Sequence, residues 1–299
     1  MNNESSYPPE SLPMRCFRRL QMDSAAWSLR RLHCPVSRDA LVLEVGSGGN
    51  PYPRANVLMD AYEETGERHW VPLITDRPFV FGFTEYLPFK TRAFDFVIAS
   101  HVFEHSPNPE RFLSELQRVA HGGYIETPDA FMERINPYPD HRLEITVRDG
   151  ALVIRKKPTI VADEELVELY RARVKPYMTR EFMRQRPFSF HMRYYWSEQI
   201  RYEIKNPTTA INWTLPAPAK RHPPSSLSLS IRSQLVTLAR SLMSQRSRNR
   251  KINLYQLLRC PTCGSEQDLD RRQDCLICKA CQTEYPLRNG IPIMYPTPA

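Results

Sequence analysis

No stretch of this 299-residue chain approaches the roughly 18–20 apolar residues that a membrane-spanning helix needs. The opening residues, Met1-Asn2-Asn3-Glu4-Ser5-Ser6-Tyr7-Pro8-Pro9, lack the basic start and apolar core of a secretory leader. Together these absences predict a cytoplasmic protein, where thiols stay reduced and clustered cysteines point to metal rather than disulfides. Acidic residues are missing altogether between Lys220 and Lys251, where Lys220, Arg221, Arg232, Arg240, Arg246, Arg248, Arg250 and Lys251 carry positive charge. Those eight equal the whole excess of 41 basic over 33 acidic residues, so basicity belongs to one segment and the rest of the chain is neutral. Cys16 and Cys34 belong to no C-x2-C pair and read as packing residues. Wholesale disorder is excluded, because 41% hydrophobic and 10% aromatic residues suffice for a core.

What is present is organised around Leu41-Val42-Leu43-Glu44-Val45-Gly46-Ser47-Gly48-Gly49-Asn50. It reads as a short buried strand ended by a glycine turn, where no Cβ blocks the approach of a ligand to the backbone. Further strands are predicted at Val57–Asp60, Phe79–Gly82, Phe94–Ser100 and Tyr124–Thr127. A helix is predicted from Asn108, a good cap, to Val119, with Pro109 in its first turn and Phe112, Leu113, Leu116 and Val119 as its apolar stripe. This alternation builds a parallel sheet. Beyond it the pattern turns antiparallel. Leu143–Val147 and Ala151–Ile154 flank Asp149-Gly150, a favourable hairpin turn. Asp163 caps a helix running to about Val174, and Phe190–Trp196 alternates with period two, with Tyr202–Ile204 predicted to pair near it. At the start, a polar lead-in to about residue 13 precedes one helix over Arg15–Arg31, packed beside the first strand through Phe17, Leu20, Trp27 and Leu32.

Prolines and small residues from Asn206 to Pro224 suit a linker. Leu227, Ile231, Leu235, Leu238 and Leu242 then recur at helical spacing with basic residues off the stripe. Two readings of residues 220–251 stay open: docking on the chain's own catalytic domain or disorder, or an anionic partner such as RNA or a membrane surface. The expected division is 1–37 lead-in and helix, 38–205 α/β domain, 206–251 basic linker and 252–299 cysteine module.

In that module Cys260-x2-Cys263 and Cys278-x2-Cys281 stand fourteen residues apart. Four thiolates close a tetrahedral shell as a structural Zn²⁺ requires, and a module of this size needs the metal to fold. Cys275 competes, because Cys275-x2-Cys278 has the same spacing; Cys281 is preferred because it leads directly into Gln282-Thr283-Glu284-Tyr285-Pro286.

The segment from Leu254 through Cys260-Pro261-x-Cys263, Cys278-x2-Cys281 and Tyr285-Pro286-Leu287-Arg288-Asn289-Gly290-Ile291-Pro292-Ile293-Met294 resembles a small zinc-ribbon family. That family includes the activator subunit of tRNA, rRNA and release-factor methyltransferases, so the resemblance implies a ribbon that activates and stabilises a methyltransferase by packing on it. Glu44-x-Gly46-x-Gly48, Asp60, Leu87-Pro88-Phe89, Phe94-Asp95 and Ser100-His101-Val102-Phe103-Glu104-His105 resemble class I S-adenosylmethionine-dependent methyltransferases over about residues 40 to 130. The implied fold is a Rossmann-like, doubly wound and mostly parallel sheet with an antiparallel appendage, followed by the ribbon. Carried over, Glu44, Gly46, Ser47 and Gly48 shape the methionine end of the cofactor site, Asp60 accepts from the ribose hydroxyls, Glu85 belongs to the same site, and Ser100 and His101 face the sulfonium.

Three departures stand out. Only seven residues separate Gly49 from Val57, with Pro51 and Pro53 among them, so the long helix that usually follows the glycine turn cannot fit. Gly82-Phe83-Thr84 replaces the usual Gly-Asp-Ala, removing an acid that addresses the adenine. No Asn-Pro-Pro-Tyr-like signature follows the fourth strand, which argues against amino methylation. His101-x-x-Glu104-His105 also spells an inverted zinc-protease motif, but it hangs off a strand, is cut off by Ser106-Pro107 and shows no third ligand. Candidate bases are His101, His105, His141 and Glu126, each with the alternative of a plain hydrogen-bonded residue. The expected activity is methyl transfer to a small-molecule or macromolecular acceptor with the ribbon bound in cis. The alternative is a non-catalytic scaffold with a degenerate cofactor fold that binds RNA or another anion.

Overall fold

A computed structural model describes residues 7–68, 70–211, 213 and 243–297; the expected amphipathic helix over 227–242 lies outside the described residues. The chain divides into two compact units that do not follow chain order. One, the ribbon-bearing unit, comprises Ser37–Ile98, Arg118–Ala120 and Ala217–Ala299; the other, the hairpin-bearing unit, comprises Met1–Val36, Ala99–Gln117 and His121–Pro216.

In the ribbon-bearing unit β1 (Val42–Val45), β2 (Val57–Asp60) and β3 (Phe79–Phe81) are buried along their whole length. They pair in parallel, with Leu43 beside Val57 and Leu58 beside Phe79. Continuous apolar runs suit strands covered on both faces. β4 (Phe96–Ser100) follows β1, giving the order β3-β2-β1-β4. The connection from β1 to β2 is the short, helix-free turn expected from its length and prolines. Asn56 fastens it: its side chain accepts from Val42 N–H at 3.0 Å, and its backbone N–H donates to Val42 O at 2.8 Å.

The hairpin-bearing unit holds β5 (Gly122–Pro128), β6 (Leu143–Arg148), β7 (Ala151–Lys156), β8 (His191–Ser197) and β9 (Tyr202–Ile204). The Asp149-Gly150 turn has both residues in the left-handed region, φ 51° and 69°, as a two-residue hairpin demands. One expectation is corrected here. β8 does not pair with β9; it runs antiparallel to β5 over its whole length, Gly122 beside Ser197 through Pro128 beside His191, in the order β4-β5-β8. β9 lies parallel to β7 instead. Period-two alternation marks β8 as a strand without naming its partner.

The N-terminal region differs too. In place of one helix there are α1 (Leu12–Arg19) and α2 (Asp23–Leu29), separated by Gln21 at φ 57°. Leu20 and Leu32, expected inward, are exposed, while Met14 and Ala26 are buried. α2 turns Trp27 against Phe188 and His191, ring centroids 5.1 and 4.6 Å away. The lead-in is ordered from Tyr7: Pro8 O lies 2.8 Å from His33 Nε2, and Pro9 O accepts from Arg193 at 2.7 Å. α3 (Pro109–Val119) has the expected cap, Arg111 N–H donating to Asn108 Oδ1 at 3.0 Å, and its whole predicted stripe is buried. α4 (Ala130–Ile135) is capped by Asp129.

The cysteine module is a four-stranded antiparallel sheet of β10 (Asp270–Arg271), β11 (Cys275–Ile277), β12 (Glu284–Arg288) and β13 (Ile291–Pro292). Within its unit it docks twice on the α/β core. Ile293 bridges Phe81 in parallel and Met294 N–H donates to Phe81 O at 2.8 Å, so the chain leaving β13 covers the outer edge of β3. Leu258 bridges Phe89, flanked by Lys90 N–H to Leu257 O (2.8 Å) and Arg259 N–H to Pro88 O (3.1 Å). The end of the basic segment packs here as well: Asn249 is buried and accepts from Asn56 Nδ2 at 2.8 Å, and Arg248 donates to Ala40 O at 2.8 Å. For residues 243–251 docking within the chain is therefore what the structure contains.

Candidate functional site

The glycine turn is built from left-handed backbone, with Gly46 at φ 62° and Gly48 at φ 56°, where side-chain-bearing residues are strained. Ser47 N–H donates to Met59 O at 3.1 Å and Gly48 N–H to Asp60 Oδ2 at 2.9 Å, so the ends of β1 and β2 hold the turn together. Glu44 is buried and its Oε2 accepts the Tyr52 N–H at 2.7 Å. The Ser47 hydroxyl is buried with no hydrogen-bond partner among the described residues. An orphan hydroxyl costs about 1–3 kcal/mol, and a polar ligand group at the turn offsets that cost. Glu85 is half-buried in the turn Thr84–Tyr86 after β3.

A segment that the sequence reading overlooked lies across this turn. Arg68 donates to Asp60 Oδ1 at 3.3 Å, to Glu63 O at 2.8 Å and to Val71 O at 2.8 Å. Both oxygens of Asp60 are thus engaged, since Oδ1 also accepts from Tyr62 N–H at 3.2 Å. Val71 and Pro72 press on Gly49 so closely that a Cβ there would sit 2.3 Å from Val71 Cγ1 and 2.7 Å from Pro72 O. Ile74 N–H donates to Gly48 O at 3.2 Å. Where the usual acid is missing, Phe83 lies 4.9 Å from Tyr295 and 6.1 Å from Tyr62, and Tyr295 Oη donates to Ala61 O at 2.6 Å. An aromatic from the far end of the chain therefore stands beside the replaced position, and no local signal could have announced it.

In the hairpin-bearing unit Ser100 ends β4 and His101 follows it. His101 adopts φ 55°, an uncommon conformation for a residue with a side chain. It is fixed by its N–H to Glu126 O at 2.8 Å, while its ring stands 3.2 Å from Glu126 and 3.5 Å from Glu104. Burial alone lowers an imidazole's pKa, but here the two carboxylates outweigh it and hold His101 at about 9. With both carboxylates beside it the ring is placed to donate. Glu126 lies within β5 rather than at its end, fully buried, taking a two-pronged pair from Arg30 (2.8 and 3.1 Å) and hydrogen bonds from Ser100 (3.2 Å) and Tyr124. Burial raises its pKa, yet the His101 and Arg30 bonds prevail and keep it well below the usual carboxylate range. So strongly stabilised an anion is a poor proton acceptor, and the geometry of Glu126 suits an anchor for Arg30 and His101.

His105 closes the turn Phe103–His105, with Nδ1 3.2 Å from Asp140 O. His141 is buried and stacked on Tyr138 at 4.6 Å. Beside Glu104 and His105, though not His101, the structure brings His141: one ligand atom from each of the three lies within 4.8 Å of the others.

Among the cysteines, Cys260, Cys263, Cys278 and Cys281 converge and Cys275 stays outside the cluster. The Sγ pairs Cys260–Cys281 and Cys263–Cys278 are each 3.6 Å apart. A tetrahedral Zn²⁺ with bonds of about 2.3 Å sets its sulfurs roughly 3.8 Å apart, so the donor set and spacing fit. Thr283 Oγ1 lies 3.1 Å from Cys281 Sγ and Tyr285 Oη 3.0 Å from Cys260 Sγ, outer contacts that steady thiolate ligands.

Comparison with known proteins places a methyltransferase domain at residues 59–125. The C-terminal segment matches the UPF0434 protein of Nitrosococcus oceani, 44% identical over 41 residues, 14% of this chain and 70% of that protein. It matches the UPF0434 protein of a Janthinobacterium species at 45% over 42 residues, 14% and 70% of the two chains. Among solved structures, the chain is similar to the YcgJ protein of Bacillus subtilis (18% identity, TM-score 0.29, 40% of this chain and 60% of that one). It is also similar to a chain of the complex between the Haloferax volcanii Trm112 methyltransferase activator and a methyltransferase (16%, TM-score 0.28, 45% and 73%). The match to a Bacillus halodurans methyltransferase structure spans 36% of this chain and about half, 51%, of that one (23%, TM-score 0.27).

Proposed function

The chain belongs, through its C-terminal segment, to the UPF0434 family and carries a methyltransferase domain at residues 59–125, and we propose on that premise that it is an S-adenosylmethionine-dependent methyltransferase stabilised in cis by its own zinc ribbon. The observation that carries this reading is the paired construction of the glycine turn and Asp60: two left-handed glycines, an orphan Ser47 hydroxyl and a carboxylate at the end of β2. Bound S-adenosylmethionine supplies a methyl group already activated on a sulfonium. The protein's work is then mostly proximity and orientation. Gly46, Ser47 and Gly48 present backbone and a hydroxyl to the methionine end, Asp60 accepts from the ribose, and Phe83 with Tyr62 and Tyr295 offers an aromatic wall for the adenine. From the hairpin-bearing unit, Ser100 and His101 are carried over by resemblance alone as residues of the sulfonium end, His101 as a donor held by its two carboxylates. Four thiolates, from Cys260, Cys263, Cys278 and Cys281, hold the zinc, whose role is structural. Ribbon contacts at Phe81 and Phe89 support stabilisation in cis, since a bare β3 edge is a site for unwanted strand pairing.

The non-catalytic alternative draws on Arg68 over Asp60 and on Val71 and Pro72 against Gly49. Calorimetric titration of the zinc-loaded chain with S-adenosylmethionine and S-adenosylhomocysteine separates the two. Micromolar binding that disappears in Gly46→Arg and Asp60→Ala supports the enzyme. A folded chain that takes up neither ligand sinks it in favour of the scaffold.

A further inference from the structure

The hairpin-bearing unit contains a second group of metal-ligating side chains, far in sequence from the cysteines and assigned no role by the methyl-transfer reading. We propose that Glu104, His105 and His141 form a binding site for one divalent transition-metal cation.

The donors converge from two stretches of chain. Glu104 and His105 sit side by side in the turn Phe103–His105, and Arg142 N–H donates to Glu104 O at 2.7 Å, which sets His141 against that turn. The rings of His105 and His141 meet edge to face at 4.9 Å, and a ligand atom from each of the three residues lies within 4.8 Å of the others. Ligands of one such ion stand roughly 3.3 Å apart, so inward rotation of the side chains by about 1 Å closes the set.

Three further observations point to a ligand. First, Glu104 is 2% exposed, and its Oε2 is buried without a hydrogen-bond partner among the described residues. A buried carboxylate oxygen left bare is costly, and a cation is the group that best repays it. Second, both imidazoles are oriented through Nδ1, His105 at 3.2 Å from Asp140 O and His141 at 2.8 Å from Glu133 Oε2, which leaves Nε2 as the ligating nitrogen of each. Metal-bound histidines are characteristically held in this way, by a carbonyl or a carboxylate on the other nitrogen. Third, Glu133 is held in turn by the buried Lys157 at 2.6 Å, which fixes the carboxylate that orients His141.

Two imidazoles and one carboxylate, with no thiolate, suit Zn²⁺, Fe²⁺, Co²⁺ or Mn²⁺ and leave coordination positions open to water or to oxygen ligands of another molecule. The site is chemically unlike the four-thiolate ribbon, which is closed. It stands whether or not the chain transfers methyl groups.

The test uses the full chain with its ribbon zinc in place, titrated with Mn²⁺ and followed by electron paramagnetic resonance, with zinc content measured in parallel. One Mn²⁺ per chain is expected, displaceable by a second equivalent of Zn²⁺. Affinity should fall at least tenfold in Glu104→Gln and His141→Asn, and by 10–100-fold in Glu133→Gln, which touches only the outer contact. His105→Gln, at a half-exposed position, repeats the test if the buried variants do not fold. A wild-type chain that takes up no Mn²⁺ and no second Zn²⁺ overturns the proposal, and so does binding that His105→Gln leaves unchanged.

Discussion

Glu126 owes its charge to its neighbours rather than to water. Arg30 and His101 hold it ionised inside the hairpin-bearing unit, well below the ordinary carboxylate value of 4.5. A carboxylate with a depressed folded pKa adds stability that is complete above its unfolded value and is lost as pH falls toward the folded one. Urea midpoints should therefore hold steady from neutral pH down to about 5 and drop below that. Glu126→Gln should lose roughly 3 kcal/mol at pH 7, because the fully buried carboxylate that pairs with Arg30 and His101 is gone, and should show a shallower acid limb. Identical acid limbs in both proteins would refute the assignment. Near it, His101 at φ 55° carries backbone strain of about 1–3 kcal/mol, held in place by the hydrogen bond to Glu126 O.

At the scale of elements, the segment after β2 and the strand-like exit from β13 meet at the same sheet end, where Tyr295 Oη donates to Ala61 O. Arg68 occupies an acceptor, Asp60 Oδ1, that the ribose would need. If the chain binds S-adenosylmethionine, Arg68→Ala should tighten binding severalfold, since the cofactor no longer competes with a guanidinium; calorimetry with unchanged or weaker affinity refutes this role. Ile293 packs with Ala55, Leu58, Phe79 and Phe81 while its backbone bridges Phe81. Ile293→Asp puts an unpaired charge into that cluster and should cost about 3 kcal/mol or more. Thermal melting checks it, and an unchanged midpoint would show that the ribbon does not brace β3.

For the molecule as a whole, zinc is the reagent that reports coupling within the ribbon-bearing unit. Chelation should unfold the cysteine module, because a domain this small has little core of its own. Losing it bares β3 and Phe89 together, so the α/β core should melt at lower temperature and aggregate. The check is a melt with and without chelator, followed by readdition of zinc; equal melting temperatures would mean the ribbon is a passenger.

Much of this was readable from the chain alone, for local reasons. Apolar runs of four or five residues marked β1, β2 and β4 because strands covered on both faces need no alternation. Asn108, Asp163 and Asp149-Gly150 announced caps and a turn because each acts on a neighbour two or three residues away. The cysteine spacing announced a tetrahedral site because each C-x2-C closes half of it. What remained hidden depends on residues brought together from afar. β8 could be seen as a strand but not as the partner of β5, since alternation carries no address. Arg30 beside Glu126, 96 residues away, and His141 beside Glu104 are products of folding. So is Tyr295 at the place of a missing acid. Sequence determined which segments could be strand, helix, turn or metal clasp, because those follow from backbone preference and short-range chemistry; tertiary structure alone decided which charges are paired, which histidine is a donor and which edge the ribbon covers, because those depend on distance in space.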